Sequence, residues 1–146
     1  MRIVIGSDHA GFDLKEECRT FLEVDLGHEV MDMGVFDKAS TDYPLIAHKV
    51  AKALTGGEFD RGILICGTGI GMSMVANRYK GVRAALCHNI YTAKLARAHN
   101  DANVMAMGGR VIGVGLALEM VKTFLETEFE GGRHLRRIEQ FHSSGI

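Results

Sequence analysis

Proline occurs once in the 146 residues, at Pro44, and cysteine three times, at Cys18, Cys66 and Cys87. An odd and scattered set of cysteines makes neither a disulfide framework nor a metal-spaced pair, so a reducing, cytoplasmic setting is expected. Long apolar runs are missing too. A stretch such as residues 63–66 is far too short to cross a bilayer. The beginning, Met1-Arg2-Ile3-Val4-Ile5-Gly6, lacks the apolar core and small-residue cleavage site of a signal peptide and reads instead as a strand. Neither sign of charge dominates: 17 basic against 18 acidic residues leave a net charge of -1. That balance argues against a nucleic-acid or membrane-surface protein. Linkers, repeats and low-complexity tracts are absent. What is present is 47% apolar and 24% charged, the composition of one globular domain over residues 1–146 with a core of its own.

Short β-rich runs alternate with helical patterns. Strands are expected at residues 2–7, 29–33, 62–66, 82–86 and 104–107, and helices at 11–26, 43–55, 71–78, 90–99 and 116–126. The alternation predicts a three-layer, doubly wound α/β fold on a five-stranded parallel sheet. In the first helix Leu14, Cys18, Phe21 and Leu22 recur at i, i+4, i+7 and i+8 and share one buried face. Cys18 is therefore expected in the core, and Cys87, just past a strand, is read the same way. In such sheets ligands sit at the carboxyl ends of the strands, so those positions decide function.

The first strand ends in Ser7-Asp8-His9-Ala10-Gly11. Asp8 can cap the following helix, but an adjacent Asp-His pair at a ligand-facing edge exceeds what capping requires. The third strand ends in Cys66-Gly67-Thr68-Gly69-Ile70-Gly71-Met72-Ser73. Three glycines in five residues allow a tight turn with inward amides, an anion site supported by the helix that follows. Three better-known loops do not fit. Met72 stands where a dinucleotide fingerprint needs Gly and a cysteine phosphatase needs Arg, and no Lys-Ser or Lys-Thr pair follows Gly71 as in a phosphate-binding Walker loop. Cys66 opens the loop. It can be a small apolar strand end, or a thiol made reactive by amides and a helix start. A base beside an anion hole is what enolisation requires.

The fourth helix runs into Ala98-His99-Asn100-Asp101-Ala102-Asn103, where His99 can exchange a proton near neutral pH. His28 reads as a turn residue, His48 lies on a helix, and His88 and His142 have no convergent partners in the sequence. After Gly131-Gly132 a final helix carries Leu135, Ile138, Phe141 and His142 roughly on one face and Arg133 and Arg137 at i, i+4 on another. Two like charges so spaced cost about 0.2–0.5 kcal/mol. They are either a solvated patch or a phosphate clamp. Arg110, after Gly108-Gly109 at the fifth strand's end, is a third possible phosphate ligand.

Together with Thr41-Asp42-Tyr43-Pro44, Asn77-Arg78, Gly81-Val82-Arg83-Ala84-Ala85 and Glu130-Gly131-Gly132-Arg133-His134, these stretches span nearly the whole chain. The set resembles ribose-5-phosphate isomerase B, within the LacAB sugar-phosphate isomerases. The resemblance implies a Rossmann-like sheet and an aldose-ketose isomerase acting on ribose 5-phosphate through an enediolate. Cys66 would shuttle the proton between carbons 2 and 1. Thr68, with the backbone of Gly67, Gly69, Ile70 and Gly71, would hold the enediolate. His99 would open the furanose ring, with Asp8 or Tyr43 supporting the sugar end. Asp8, His9 and Asn100 would bind hydroxyls. Arg110, Arg133, Arg137 and His134 would bind the phosphate. The family's sites lie between subunits, which implies a homodimer or a dimer of dimers, with the C-terminal helix extending to the partner. Some members carry Glu where Met72 stands and lack the Cys, so this chain is similar to the cysteine-using branch. No cofactor and no metal are expected, since enolisation needs neither when the anion hole is good.

Three other readings compete. A hexose 6-phosphate isomerase, for allose or galactose 6-phosphate, would use the same catalytic set. A non-catalytic phosphosugar-binding module would predict the loss of Cys66 or His99, and both are present. A nucleotide-binding domain suffers from the loop mismatches above.

Overall fold

Three of the strands read as continuous apolar runs, as a parallel sheet covered on both faces demands. The computed structural model describes residues 1–142, and the His142 side chain lies outside that description. In chain order the elements are β1 (Arg2–Ser7), α1 (Phe12–Thr20), β2 (Glu29–Asp32), α2 (Tyr43–Thr55), β3 (Arg61–Cys66) and α3 (Ile70–Ala76). They continue with β4 (Ala84–Leu86), α4 (Ile90–Ala98), β5 (Val104–Gly108), α5 (Val114–Glu126), α6 (Arg133–Ile138) and a closing 3-10 turn (Glu139–His142). The expected first helix changes character at its end. α1 runs into a π-helical turn at Phe21–Asp25, closed by Leu26 N–H donating to the Phe21 carbonyl at 3.0 Å.

All five strands are parallel, in the order β2-β1-β3-β5-β4. The strand order reverses between β1 and β3, and β5 is inserted between β3 and β4. Side chains alternate across the sheet. Ile3, Ile5, Ile63, Ile65, Met105 and Met107 face α1, α4 and α5, where Leu14, Cys18, Met120 and Phe124 meet them. Val4, Leu64, Cys66, Val104 and Ala106 face α2 and α3, against Ile46, Val50 and Met72. Each large side chain so buried contributes roughly 1.5–3 kcal/mol. Leu14, Cys18 and Leu22 share the buried face expected of them, with Phe21 packed at its margin.

One charge is taken into this core and matched there. Lys15 is fully buried; its Nζ donates to Asp32 at the end of β2 and to the Val35 carbonyl at 2.7 Å, and pairs with Glu16 at 3.0 Å. Ser7 N–H donates to Gly34 O at 2.7 Å and Val35 N–H to Ser7 O at 2.9 Å. The segment that leads from β2 to Tyr43 is thereby tied to the end of β1. No helix among the described residues is long and apolar enough to cross a membrane.

Candidate active site

Register puts the ends of β1, β3 and β5 side by side: Ser7 opposite Ile65, and Cys66 opposite Gly108. Their three loops interlock through backbone bonds, Asp8 N–H to Ile65 O at 3.2 Å, Gly109 N–H to Cys66 O at 2.8 Å and Arg110 N–H to Gly67 O at 3.1 Å. Glycine makes this closeness possible at Gly11, where a Cβ would fall 2.4 Å from the Ile65 carbonyl oxygen. It does so again at Gly69, whose φ of +79 is left-handed and whose Cβ would fall 2.8 Å from the Met107 backbone.

Cys66 is buried at the crest of β3, and its Sγ accepts a hydrogen bond from Gly69 N–H at 3.0 Å. Ile70 N–H donates to Thr68 Oγ1 at 3.3 Å. The amides of Gly67, Thr68 and Gly71 have no acceptor among the described residues. An oxyanion brought to this loop could accept from them. α3 spans only seven residues, so these loop amides, rather than a long helix dipole, carry the positive potential. Met72 points into the core and is fully buried.

Asp8 caps the turn that follows β1. Its Oδ1 accepts from Ala10 N–H at 2.9 Å and Gly11 N–H at 3.0 Å, which caps the turn and fixes the carboxylate at the sheet edge. His9 Nδ1 accepts from Thr41 N–H at 3.1 Å and so holds the approach to α2. The Tyr43 ring lies on Gly71, 2.5 Å from where a Cβ would stand, and Arg110 Nη1 lies 3.5 Å from the equivalent point on Gly67. Cys66, Thr68, Asp8, His9, Tyr43 and Arg110 thus gather at the carboxyl edge of the sheet.

His99, Asn100, Arg133, His134 and Arg137 gather elsewhere. In a parallel sheet each connecting helix starts at the carboxyl edge and ends at the amino edge. α4 and α5 therefore deliver His99 and the tail to the amino edge, and Glu130 N–H donates to Ala98 O at 3.0 Å. The two edges lie a strand length apart, roughly 20 Å for six residues at ~3.3 Å each. At the amino edge the His99 and His134 rings stack with centroids 4.1 Å apart and planes 9° from parallel. Glu130 Oε2 lies 3.4 Å from His134 Nε2 and 3.8 Å from His99 Nε2. Burial pushes the His134 pKa down, and His99, Arg133 and Arg137 push it the same way against Glu130. Arg133 and Arg137 are exposed, and so are Leu135 and Phe141; α6 turns His134, not its apolar face, toward its own chain.

His99, Glu130 and His134 hold ligand-type atoms within 4.8 Å of one another. A divalent metal could bridge three such groups. Yet parallel rings keep their Nε2 lone pairs in parallel planes, and two arginines beside them oppose a cation. The cluster suits an anion better. Sequence reasoning missed Glu130 as a functional neighbour. Its signal was position alone, one residue before Gly131-Gly132.

The profile of the Ribose/Galactose Isomerase family matches residues 3–141. Ribose-5-phosphate isomerase B of Escherichia coli (strain K12) is 50% identical over 138 residues, covering 94% of this chain and 92% of that protein. A D-erythrulose-4-phosphate isomerase of Pectobacterium atrosepticum is 44% identical, covering 96% of this chain and 92% of that protein. The solved structure of Clostridium thermocellum ribose-5-phosphate isomerase B superposes with a TM-score of 0.96 at 50% identity, covering 99% of this chain and 97% of that one. The chain belongs to the Ribose/Galactose Isomerase family. It is an enzyme, a sugar-phosphate isomerase of the ribose-5-phosphate isomerase B type.

Proposed function

We propose that the chain interconverts ribose 5-phosphate and ribulose 5-phosphate, in sites that two copies of the chain complete for each other. The observation that carries the chemistry is Cys66 Sγ, held by the Gly69 amide at 3.0 Å inside a loop with amides to spare. The thiolate takes the proton from carbon 2 of the open aldose. The electron pair moves to the carbonyl oxygen, and the enediolate accepts hydrogen bonds from the free loop amides, with Thr68 beside them. The same thiol returns its proton to carbon 1, and a hydroxyl proton passes between the two oxygens.

Before that step the furanose must open. His99, from the second copy, passes a proton to the ring oxygen as its bond to carbon 1 breaks and the carbon 1 hydroxyl gives up its proton to leave the carbonyl, and Asp8 or Tyr43 supports the sugar end. Asp8, His9 and Asn100 hold hydroxyls. Arg110 from one copy and Arg133, His134 and Arg137 from the other hold the phosphate. Two observations support sharing: the roughly 20 Å between the clusters, and the exposed Leu135 and Phe141 on the tail, apolar surface for a second copy to cover.

Turnover of purified protein on ribose 5-phosphate, galactose 6-phosphate, allose 6-phosphate and D-erythrulose 4-phosphate, with a chelator present, tests the substrate. Strong preference for the pentose phosphate supports the reading; activity confined to another substrate replaces it. Cys66→Ala should lower kcat at least ~100-fold with a modest change in KM. Near-normal turnover by that variant would sink the base assignment.

A further inference from the structure

We propose that Arg83, acting through Asp101, is a positioning residue that fixes the direction in which His99 leaves α4. The inference rests on His99 being the ring-opening group. α4 ends at Ala98, and within five residues the chain must turn back to enter β5. The turn is made at Asp101, whose φ of 45 is left-handed. Glycine usually takes that conformation after a helix, and Asp adopts it more readily than most other residues. Glycine here would supply the backbone but not the side chain, and the side chain is in use.

Arg83 Nε donates to the Asp101 carbonyl at 2.9 Å, and Arg83 Nη2 to Asp101 Oδ2 at 2.8 Å. Arg97 Nη1 donates to Asp101 Oδ1 at 2.8 Å and to the Ala102 carbonyl at 2.6 Å. One carboxylate is thus gripped by two guanidinium groups, and one of them also holds the carbonyl of the turn itself. Arg83 is anchored in turn. Its N–H donates to Asn103 Oδ1 at 2.8 Å, and its carbonyl accepts from Asn103 N–H at 3.0 Å. The loops entering β4 and β5 behave as one unit, with His99 at its rim.

A purely structural role is the alternative, and placement speaks against it. The Arg83 and Asp101 side chains are 29% and 34% exposed, outside both core clusters, whereas Arg97 is buried. The His99 ring stacks on His134 and lies 3.8 Å from Glu130, while its backbone leaves α4 at the turn that Arg83 and Asp101 hold. Its reach toward a substrate is therefore set by that turn together with these two neighbours.

The test is a mutant cycle. Arg83→Met and Asp101→Asn are made alone and with His99→Asn. Each is assayed on ribose 5-phosphate, which must be opened, and by solvent-hydrogen exchange into ribulose 5-phosphate, which is already open. A misplaced acid should lower kcat on ribose 5-phosphate at least ~10-fold, while KM and the exchange rate stay within about threefold. Adding Arg83→Met to His99→Asn should cost nothing further. Unchanged kcat, equal losses in both assays, or multiplied losses in the double variant would overturn the proposal. Should Arg83→Met fail to fold, Asp101→Asn carries the same cycle, since Asn also tolerates the left-handed turn. Normal turnover by His99→Asn alone would instead remove the ring-opening role, and with it anything for Arg83 to position.

Discussion

The three cysteines separate by surroundings. Burial pushes the Cys18 thiol up to about 12, with Glu17 adding to it, and the Cys87 thiol up to about 11 against a hydrogen bond from Thr92. Both stay protonated at neutral pH, as core residues would. Cys66 alone meets a backbone amide at the sheet edge. The core placement expected of Cys18 and Cys87 is met: helical spacing marked the first and its position just past a strand the second. His134 supports a prediction on pH. Its pKa is depressed on folding, by burial first, so the unfolded chain binds more protons than the folded one as pH falls below about 6.5. Stability should be complete above that pH and decline below it. His134→Gln should flatten the decline in Tm between about pH 7 and pH 5, and an unchanged slope would assign it to other groups.

At the scale of elements, most of the fold could be read in advance. Short β-rich runs and helical patterns located all five strands and the five larger helices, to within a few residues at their ends. Departures have local causes. β4 begins at Ala84, not at 82, because the Arg83 backbone is bonded to Asn103 in a loop. The π turn at Phe21–Asp25 keeps Leu22 on the buried face, so hydrophobic spacing did not betray it. The insertion of β5 between β3 and β4 was invisible, since nothing local to either strand names its neighbour. Lys15 was missed as well, being a charge on the buried face of a helix. It joins α1 to β2 and to the segment leading to Tyr43. Lys15→Met leaves Asp32 half-buried without its cation, and should cost roughly 3–5 kcal/mol of unfolding free energy, read by urea denaturation. A loss below about 1 kcal/mol would mean that Arg19, 4.0 Å from Asp32, takes over the pairing.

For the whole molecule, the sequence named candidate residues but not where they stand relative to one another. Motifs that follow a strand and motifs that follow a helix look alike in a string, yet they emerge at opposite edges of the sheet. That separation makes a sharp prediction. Cys66→Ala and His99→Asn proteins, each strongly impaired on ribose 5-phosphate alone, should regain activity when mixed after partial unfolding and refolding. A mixed pair has one site with both defects and one with neither. Random pairing should then restore roughly a quarter of the native rate in a two-site dimer. No recovery, with mixed pairs shown to form, would place both residues in one chain's site.

The flanks of the sheet decide how such copies can meet. β2 has four residues and β4 three, and they are the two outermost strands. Edges this short offer another backbone little to pair with, and Glu29 and Asp32 add charge to one of them. Growth by strand addition, the route to fibrous aggregates, is closed at both margins. Pairing of two copies, as proposed for the shared sites, would then run through side chains on helices and loops and leave the sheet undisturbed.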